Sequence, residues 1–537
     1  SVTFEEYVHY AHIDREREKA LPAVQKPISS LKSTLFGKKT DVVQDPPSPP
    51  TDEKHEKGDV IRAPVVTDDE WYHAGRALRT ATWGSVFYLI TTDVLGPYTV
   101  PWALSQMGYG PGVTLYTIFG CLAGYTGWQI WQMFLRLDSI HYPARSFGDL
   151  AFRIYGAWAR HVVNILQSIQ LVMNVGVIVI QNGQGLYQIN SSICYVVCCI
   201  IWAALGMFLG QIRTLQRFGW IANFAVWINV TTMILTMAIV SHNPPNYAAS
   251  EASNGFGESD GPIKTYGGAP PYSKGFSTGV TGLMQAVFSY GGSLIFCEFL
   301  SEMRKPRDFW KALIVAECFI YVVYLFFGLF VYSYHGQFVI NPAFQGISPR
   351  HALEAGNILG LLSALIAGAL YGNIGLKVAY ANIAIEFFNA PPLDSRAGKL
   401  LWAGLIPVYW ALAFVLAAAI PNFSYLSSLV AAICILQFTY TFPPIMMLGC
   451  NVQYYAIQEG EGFDPSTGRT TRRDQGWKRW ARGFKHMWYV NAWNGFMFLG
   501  ALVTAALGIY ASVQGLKSAF AAGKNTSFSC AGPLGSG

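Results

Sequence analysis

Two stretches of this chain combine the apolar length of a membrane helix with residues that a helix cannot keep. One reads Thr91-Thr92-Asp93-Val94-Leu95-Gly96-Pro97-Tyr98, the other Phe288-Ser289-Tyr290-Gly291-Gly292-Ser293. Gly and Pro interrupt the backbone ladder, and in hydrocarbon the freed groups are tolerated only where protein or a water-filled cavity surrounds them. The amides that open the second half of a broken helix sit at the positive end of its dipole and suit a carboxylate. The carbonyls that close the first half suit an ammonium group or a cation. A zwitterionic α-amino acid carries both charges at that spacing. The candidates are Asp93, Val94, Leu95, Gly96 and Tyr98 at the first break, and Phe288, Ser289, Tyr290, Gly291 and Gly292 at the second. The bland alternative is that the glycines and Pro97 only kink closely packed helices. Recurrence of the breaks in the first and sixth apolar segments weighs against it.

Asp93 is an intramembrane carboxylate, a functional candidate by default. It can meet a substrate ammonium, carry a proton, or satisfy amides freed at the break, and these readings stay open. In the third apolar segment Gln167, Gln170, Asn174, Gln181, Gln184 and Gln188 follow helical spacing and share one face. That face can line a permeation path, with Asn174 as its substrate candidate, or serve as interhelical hydrogen-bond glue. The eighth segment carries Tyr371 and, six residues on, Lys377. Lys377 can replace a coupling cation or carry protons, or it can snorkel to the near interface. Glu317, a second intramembrane acid, is the remaining ion-coupling candidate. Glu298 and Glu302 stand beside Arg304, Lys305 and Arg307, where local ion pairs are the expected role. No phosphate-binding loop with its Lys, no metal-spaced His pair and no Ser-His-Asp pattern is present, so no enzymatic activity, metal or cofactor is expected. Any work should draw on an ion gradient.

The elements that position these residues follow from composition. The 537 residues are 52% hydrophobic and 13% charged, with a mean hydropathy of +0.29. Soluble domains carry about 25% charged residues. The expectation is an all-α polytopic membrane protein with eleven spans, near 81–106, 112–136, 161–188, 193–211, 219–241, 277–301, 309–334, 353–388, 399–420, 422–449 and 493–515. Its partners are a small molecule and the lipid bilayer, with no nucleic acid. The oligomeric state is open.

Alternate loops differ in charge. One set carries Arg136, Arg145, Arg153 and Arg160, then Arg213 and Arg217, then Arg304, Lys305, Arg307 and Lys311, then Arg396 and Lys399, then seven Arg and Lys between 469 and 485. The opposite loops Gly108–Pro111, Gln188–Ser192 and Pro421–Asn422 hold none. The positive-inside rule puts the N-terminus in the cytoplasm and, after eleven spans, the C-terminus outside. Residues 1–78 are polar and proline-bearing, and are expected as a disordered cytoplasmic tail before a transporter domain over 79–515. Residues 516–537 form an extracellular tail. The basic, Trp-rich stretch 469–489 fits an interfacial helix against anionic lipid or a plain positive-inside anchor. Loop 242–276 is either a lid over the outer entrance or an ordinary connection. Of nine Cys, Cys194 and Cys530 fall on the outer, oxidising face, and a disulfide between them is expected to tie the tail down. Asn190 and Asn525 are glycosylation sequons on that face, Asn190 too close to the membrane for modification.

Thr91–Gln106 followed by Gly108-Tyr109-Gly110-Pro111-Gly112 resembles the first helix of fungal amino acid/auxin permeases. So do Phe288–Gly292 with Glu302-Met303-Arg304-Lys305-Pro306-Arg307-Asp308-Phe309, Gly372–Ile383 around Lys377, and the ending Phe528-Ser529-Cys530-Ala531, which is similar to neutral amino acid permeases. The likeness covers about residues 75–530. It implies the fold of the amino acid–polyamine–organocation superfamily, with inverted repeats over about 79–241 and 277–449, discontinuous first and sixth helices, and an additional helix at 493–515. It also implies proton-coupled uptake of amino acids at the plasma membrane, with substrate contacts on Val94–Pro97 and Phe288–Gly292.

One departure matters. Pro97 stands where relatives have Ser or another small residue, so one carboxylate donor is absent. The second break, with two glycines and free amides, is then expected to hold more of the carboxylate. The combined expectation is a proton symporter of neutral, large or aromatic amino acids working by alternating access, with Tyr98, Phe288, Tyr290 and Tyr371 shaping the side-chain pocket. The alternatives are vacuolar export on the same fold and a non-transporting amino acid sensor. No charged ring of a channel pore is visible.

Overall fold

The computed structural model describes residues 2–19, 79, 81–94, 96–211, 218–272, 275–385, 388–392, 395–420, 422–521 and 527–534. It is a bundle of helices that buries many polar side chains among its apolar core and turns large apolar ones outward. Gln129, Gln170, Gln184, Asn357 and Asn494 are buried, whereas Phe208, Trp227, Val322, Leu400 and Phe496 lie on the outer surface. Such an apolar outer surface suits a bundle whose solvent is lipid.

The first broken segment gives α2 (Trp83–Val94), a 3₁₀ turn at Pro97–Thr99 and α3 (Val100–Met107). Gly108, at φ +83°, turns the chain into α4 (Tyr109–Leu137), and a Cβ there would run into the Gly268 carbonyl. A reciprocal Ser146/Asp149 capping box starts α5 (Phe147–Tyr155). Next come α6 (Ala157–Ile189), α7 (Tyr195–Leu209) and α8 (Phe218–Val240). The second broken segment gives α9 (Phe276–Ser289) and α10 (Phe296–Glu302), separated by Tyr290–Ile295. After α11 (Phe309–His335), α12 (Arg350–Ala379) and α13 (Arg396–Ala419), two helices, α14 (Phe423–Val430) and α15 (Phe442–Tyr455), are joined by π-helical Ala431–Ile435 and Gln437–Thr441. A hairpin, β1 (Gly462–Asp464) with β2 (Arg469–Thr471), precedes α16 (Trp477–His486) and α17 (Trp488–Ala521).

Helical elements lie over each expected span, but fewer meet the length and hydropathy of a crossing. Among the described residues seven do: Ala157–Ile189, Phe276–Glu302, Pro306–Phe338, Arg350–Ile385, Arg396–Ala419, Phe423–Tyr455 and Trp488–Ala521. Tyr195–Leu209 and Phe224–Val240 are apolar but shorter. The first segment, split into Trp83–Val94 and Val100–Met107, and the unbroken Tyr109–Leu137 fall outside this set. The chain is a mostly helical, multi-pass membrane protein.

Small residues let the helices approach closely, as bilayer packing favours. Gly206 and Gly372 both make room for the Trp410 ring, where any Cβ would collide. The two broken segments are also stitched together at their ends. Ala81 N–H donates to the Glu302 carbonyl (3.0 Å), and Arg304 N–H donates to the Ala81 carbonyl (2.9 Å).

The expectation of a disordered tail fails for its first residues. Phe4–Lys19 form α1. They do not fold alone: charges that local composition leaves unpaired find partners far along the chain. Arg15 donates to Asp138 (2.9 Å) and Glu18 (2.6 Å), and Arg79 grips Asp138 with both Nη atoms (2.8 and 2.9 Å). Glu18 accepts the Arg307 amide (3.1 Å), and the Arg153 guanidinium stacks over Tyr7. Loop 242–276, at the opposite end, contains the short helix Tyr247–Ser253 and covers the ends of α3 and α11. Trp102 Nε1 donates to Asn254 Oδ1 (3.2 Å) and Lys264 N–H to Gln337 Oε1 (2.7 Å).

Candidate functional site

A cavity of about 220 Å³ lies between the two breaks. Gly96 and Tyr98 come to its wall from the first break, and Phe288, Ser289 and Gly291 from the second. Asn174, Val177, Ile178 and Gln181 come from α6, Asn229 from α8, and Gly360, Ser363, Ala364, Ala367 and Tyr371 from α12. Phe344, Phe423 and Ile435 close the remainder, Ile435 from the π-helical stretch beside Gly291. A Cβ on Gly291 would approach Ile435 Cγ2 to 2.7 Å, so glycine is what makes room for the Ile435 side chain beside the break. Among the described residues no charged side chain lines the cavity.

The breaks are tied to each other by side chains. The buried Tyr324 hydroxyl of α11 accepts the Gly96 N–H (3.3 Å) and donates to the Ser289 carbonyl (2.8 Å). Ser289 Oγ donates to the Gln285 carbonyl (2.8 Å), which leaves the Thr99 hydroxyl as donor to Ser289 Oγ at 3.0 Å. Tyr98 donates to the Asn229 carbonyl (2.8 Å), its ring held edge-on by Phe327 and Phe344. Ser363 donates to Asn229 Oδ1 (2.8 Å). Asn174 Oδ1 is buried at the cavity wall with no hydrogen-bond partner. An unmet acceptor in a polar wall is where a ligand N–H is best received.

The expected freedom of the second-break amides does not hold. Gly291 N–H donates to the Phe288 carbonyl (3.3 Å) and Gly292 N–H to the Tyr290 carbonyl (3.0 Å). The loop folds back on itself in a tight turn, and that turn consumes the donors. Gly292 and Tyr290 also stand apart from the cavity lining. Tyr290 turns the other way, against Tyr116 and Tyr324 (ring centroids 6.1 and 5.5 Å).

Glu317 sits near Tyr290 and Tyr440, outside the cavity, with Oε2 buried and unbonded. Lys377, in the last turn of α12, is likewise not at the cavity. Asp93 and Val94 lie in α2, but their side chains, and Leu95 altogether, are outside the described residues, as is Asn525. Asn190 closes α6 and its side chain accepts the Ser192 amide (3.1 Å). Cys194 and Cys530 are joined by a disulfide, and Tyr195 N–H donates to the Cys530 carbonyl (3.0 Å).

The polar stripe of α6 divides its labour. Asn174 and Gln181 reach the cavity, while the ends bind neighbouring helices: Gln167 donates to Glu298 (3.3 Å) and Gln188 to the Gln345 carbonyl (3.1 Å). Glu298 thus engages α6 in addition to lying near the basic run. Sequence reasoning missed Asn229, Ser363, Phe344 and Tyr324. Asn229 is an isolated amide in an apolar helix, and Gly360, Ser363, Ala367 and Tyr371 keep three- and four-residue spacing, so both had a readable signal. Tyr324 had none to separate it from its neighbour Tyr321.

The chain is similar, at 26% identity over 70% of its length and 76% of the other's, to a transmembrane transporter of Gibberella moniliformis. It is 24% identical to an N amino acid transport system protein of Neurospora crassa, over 83% of this chain and 87% of that one. A lysine histidine transporter-like 1 protein of Arabidopsis thaliana is 22% identical, over 71% and 83%. Among solved structures, the inward-facing conformation of Mhp1 aligns with a TM-score of 0.45 and 12% identity, covering 82% of this chain and 92% of that one. The family model described as transmembrane amino acid transporter protein matches residues 79–455, from the first broken helix to the end of α15. The resemblance legible in the two breaks is thereby borne out, and the chain belongs to the transmembrane amino acid transporter family.

Proposed function

We propose that this chain is a proton-coupled symporter that imports neutral, large or aromatic amino acids by alternating access. The observation that carries this reading is the cavity itself. It lies between two helix breaks, offers unpaired polar capacity at Asn174, and has no charged lining among the described residues. An uncharged wall disfavours acidic and basic side chains, which would enter without a counter-ion. Tyr98, Phe288, Phe344, Tyr371 and Phe423 supply the apolar surface for a bulky one.

In this reading eleven helices cross the bilayer, in two inverted sets of five and an added helix. The arginine-rich end faces the cytoplasm and the Cys194–Cys530 end faces outside. Glu317 carries the coupling proton, with Asp93 and Lys377 the other candidates, and the membrane is the plasma membrane. A tagged chain found at the vacuole would place the same cavity in an exporter instead.

The direct test is purified protein in proteoliposomes under an inward proton gradient, with all twenty amino acids as competitors. Uptake of neutral, bulky amino acids that collapses with the gradient is expected. No uptake of any of the twenty would refute the transport reading.

A further inference from the structure

A second space, of about 340 Å³, opens at the arginine-rich end where α5, α15 and α16 meet. Its polar walls are Arg472, Arg479, Gln453, Tyr155 and Trp480, and Glu5 of α1 enters it. Three guanidinium N–H groups converge on that carboxylate. Arg472 Nε and Arg479 Nη2 donate to Glu5 Oε1 (2.8 and 2.9 Å), and Arg472 Nη2 donates to Oε2 (2.6 Å). Arg479 Nη1 is held by Glu461 (3.1 Å), and Arg482 grips Asp474 with both Nη atoms (2.6 and 2.8 Å).

With Glu5 in place, three arginines face three carboxylates. Lifted out, it leaves one net positive charge and a fork of donors with no acceptor, the donor set that matches a phosphate's oxygens. The helix that carries Glu5 is docked in good part through charge. Its buried apolar side chains are Phe4, Tyr7 and Ala11, and the rings of His9 and Tyr10 meet Phe463, His141 and Tyr142, while Glu5, Asp14, Arg15 and Glu18 attach it by ion pairs and charged hydrogen bonds. Such an attachment exchanges against a competing anion more readily than an apolar interface does. Beside the cradle, α16 places Lys478 and Lys485 among exposed Trp477 and Phe484, and Trp488 follows, a composition suited to a phospholipid surface.

We propose that Arg472 and Arg479 form an anion site for a terminal, dianionic phosphate group, and that Glu5 occupies it as a built-in competitor, so that ligand binding and docking of α1 exclude each other. That group is either the phosphomonoester headgroup of an acidic membrane lipid or free inorganic phosphate.

The test uses the full chain in detergent, titrated with short-chain phosphatidic acid, with phosphatidylglycerol as a charged phosphodiester control, and with inorganic phosphate. Release of α1 is read as tryptic cleavage after Arg15, which docking buries. Phosphatidic acid should bind and speed that cleavage, and phosphatidylglycerol should do neither. A matching response to inorganic phosphate assigns the free ion; a response to the lipid alone assigns the headgroup.

Glu5→Gln should tighten binding about tenfold, the factor expected when one charge-assisted competitor is removed, and Arg472→Gln should weaken it by a similar factor. Arg472 is half-exposed and its substitution leaves the bundle core untouched. Equal binding of phosphatidic acid and phosphatidylglycerol, or an affinity unmoved by Glu5→Gln, overturns the proposal.

Discussion

The hydroxyl of Tyr324 is one atom that serves both helix breaks, and its removal gives the sharpest test of how they are joined. Tyr324→Phe deletes the acceptor of the Gly96 N–H and the donor to the Ser289 carbonyl while keeping the ring. The Ser289 side is buried, so leaving its carbonyl unmet costs about 1–3 kcal/mol. Gly96 borders the cavity, where a water can replace the lost partner, so its loss is smaller. The joined arrangement is then destabilised by about 2–3 kcal/mol, which at 1.4 kcal/mol per factor of ten lowers its population roughly thirtyfold or more.

Substrate uptake in proteoliposomes should fall by at least tenfold, with surface expression retained and thermal stability in detergent reduced. Tyr109→Phe is the control, because the Tyr109 hydroxyl meets Ser333 at an exposed position, where the expected change is below about 0.5 kcal/mol. Wild-type uptake and stability in Tyr324→Phe would show that the two breaks are held by their own backbones, and the reasoning would fail.

Asn174→Leu removes an unmet acceptor from the cavity wall, so the fold should hold while substrate affinity drops about tenfold, read as KM and as a lost ligand-induced thermal shift. An unchanged KM for every amino acid would take Asn174 out of the site. Glu317→Gln should abolish uptake driven by a proton gradient and spare exchange of internal for external substrate; intact proton-driven uptake would move the coupling role to Asp93 or Lys377. Burial pushes the Glu461 carboxyl up, but the Arg473 and Gln458 amides and the Arg479 guanidinium outweigh it and hold its pKa below the ordinary 4.5. Its contribution to packing α16 against the hairpin is therefore complete above pH 4.5 and lost as pH falls through the lowered value. Tryptic protection of the Arg473 segment should be flat from neutral pH to about 5 and fall only in stronger acid. Protection already lost near neutrality would contradict this sign.

The positions of the breaks are legible because Gly and Pro act locally: no context restores a ladder hydrogen bond that Pro97 cannot donate. The same holds for the α6 stripe, whose spacing alone puts Asn174 and Gln181 on the face that meets α12. What the sequence hides is where a freed group goes. The Gly291 and Gly292 amides look available on paper, yet a two-glycine turn satisfies them within the loop. The helix α1 is hidden for the opposite reason. Its charges read as solvated when counted locally, because Asp138, Arg307, Arg472 and Arg479 all lie more than a hundred residues away. Tyr324 is invisible for the same cause, since its two partners belong to segments that only the folded chain brings together.

The stitch between Ala81 and the Glu302–Arg304 backbone has a mechanical consequence. Two main-chain bonds fasten Ala81, which leads into the first half-helix, α2, to the tail of the last one, α10, at the arginine-rich end. Pieces more than two hundred residues apart therefore share one pivot, and neither can tilt without dragging the other. Side-chain changes leave such a yoke intact, whereas an inserted or deleted residue near Met303 throws it out of register and lets the two arms move independently.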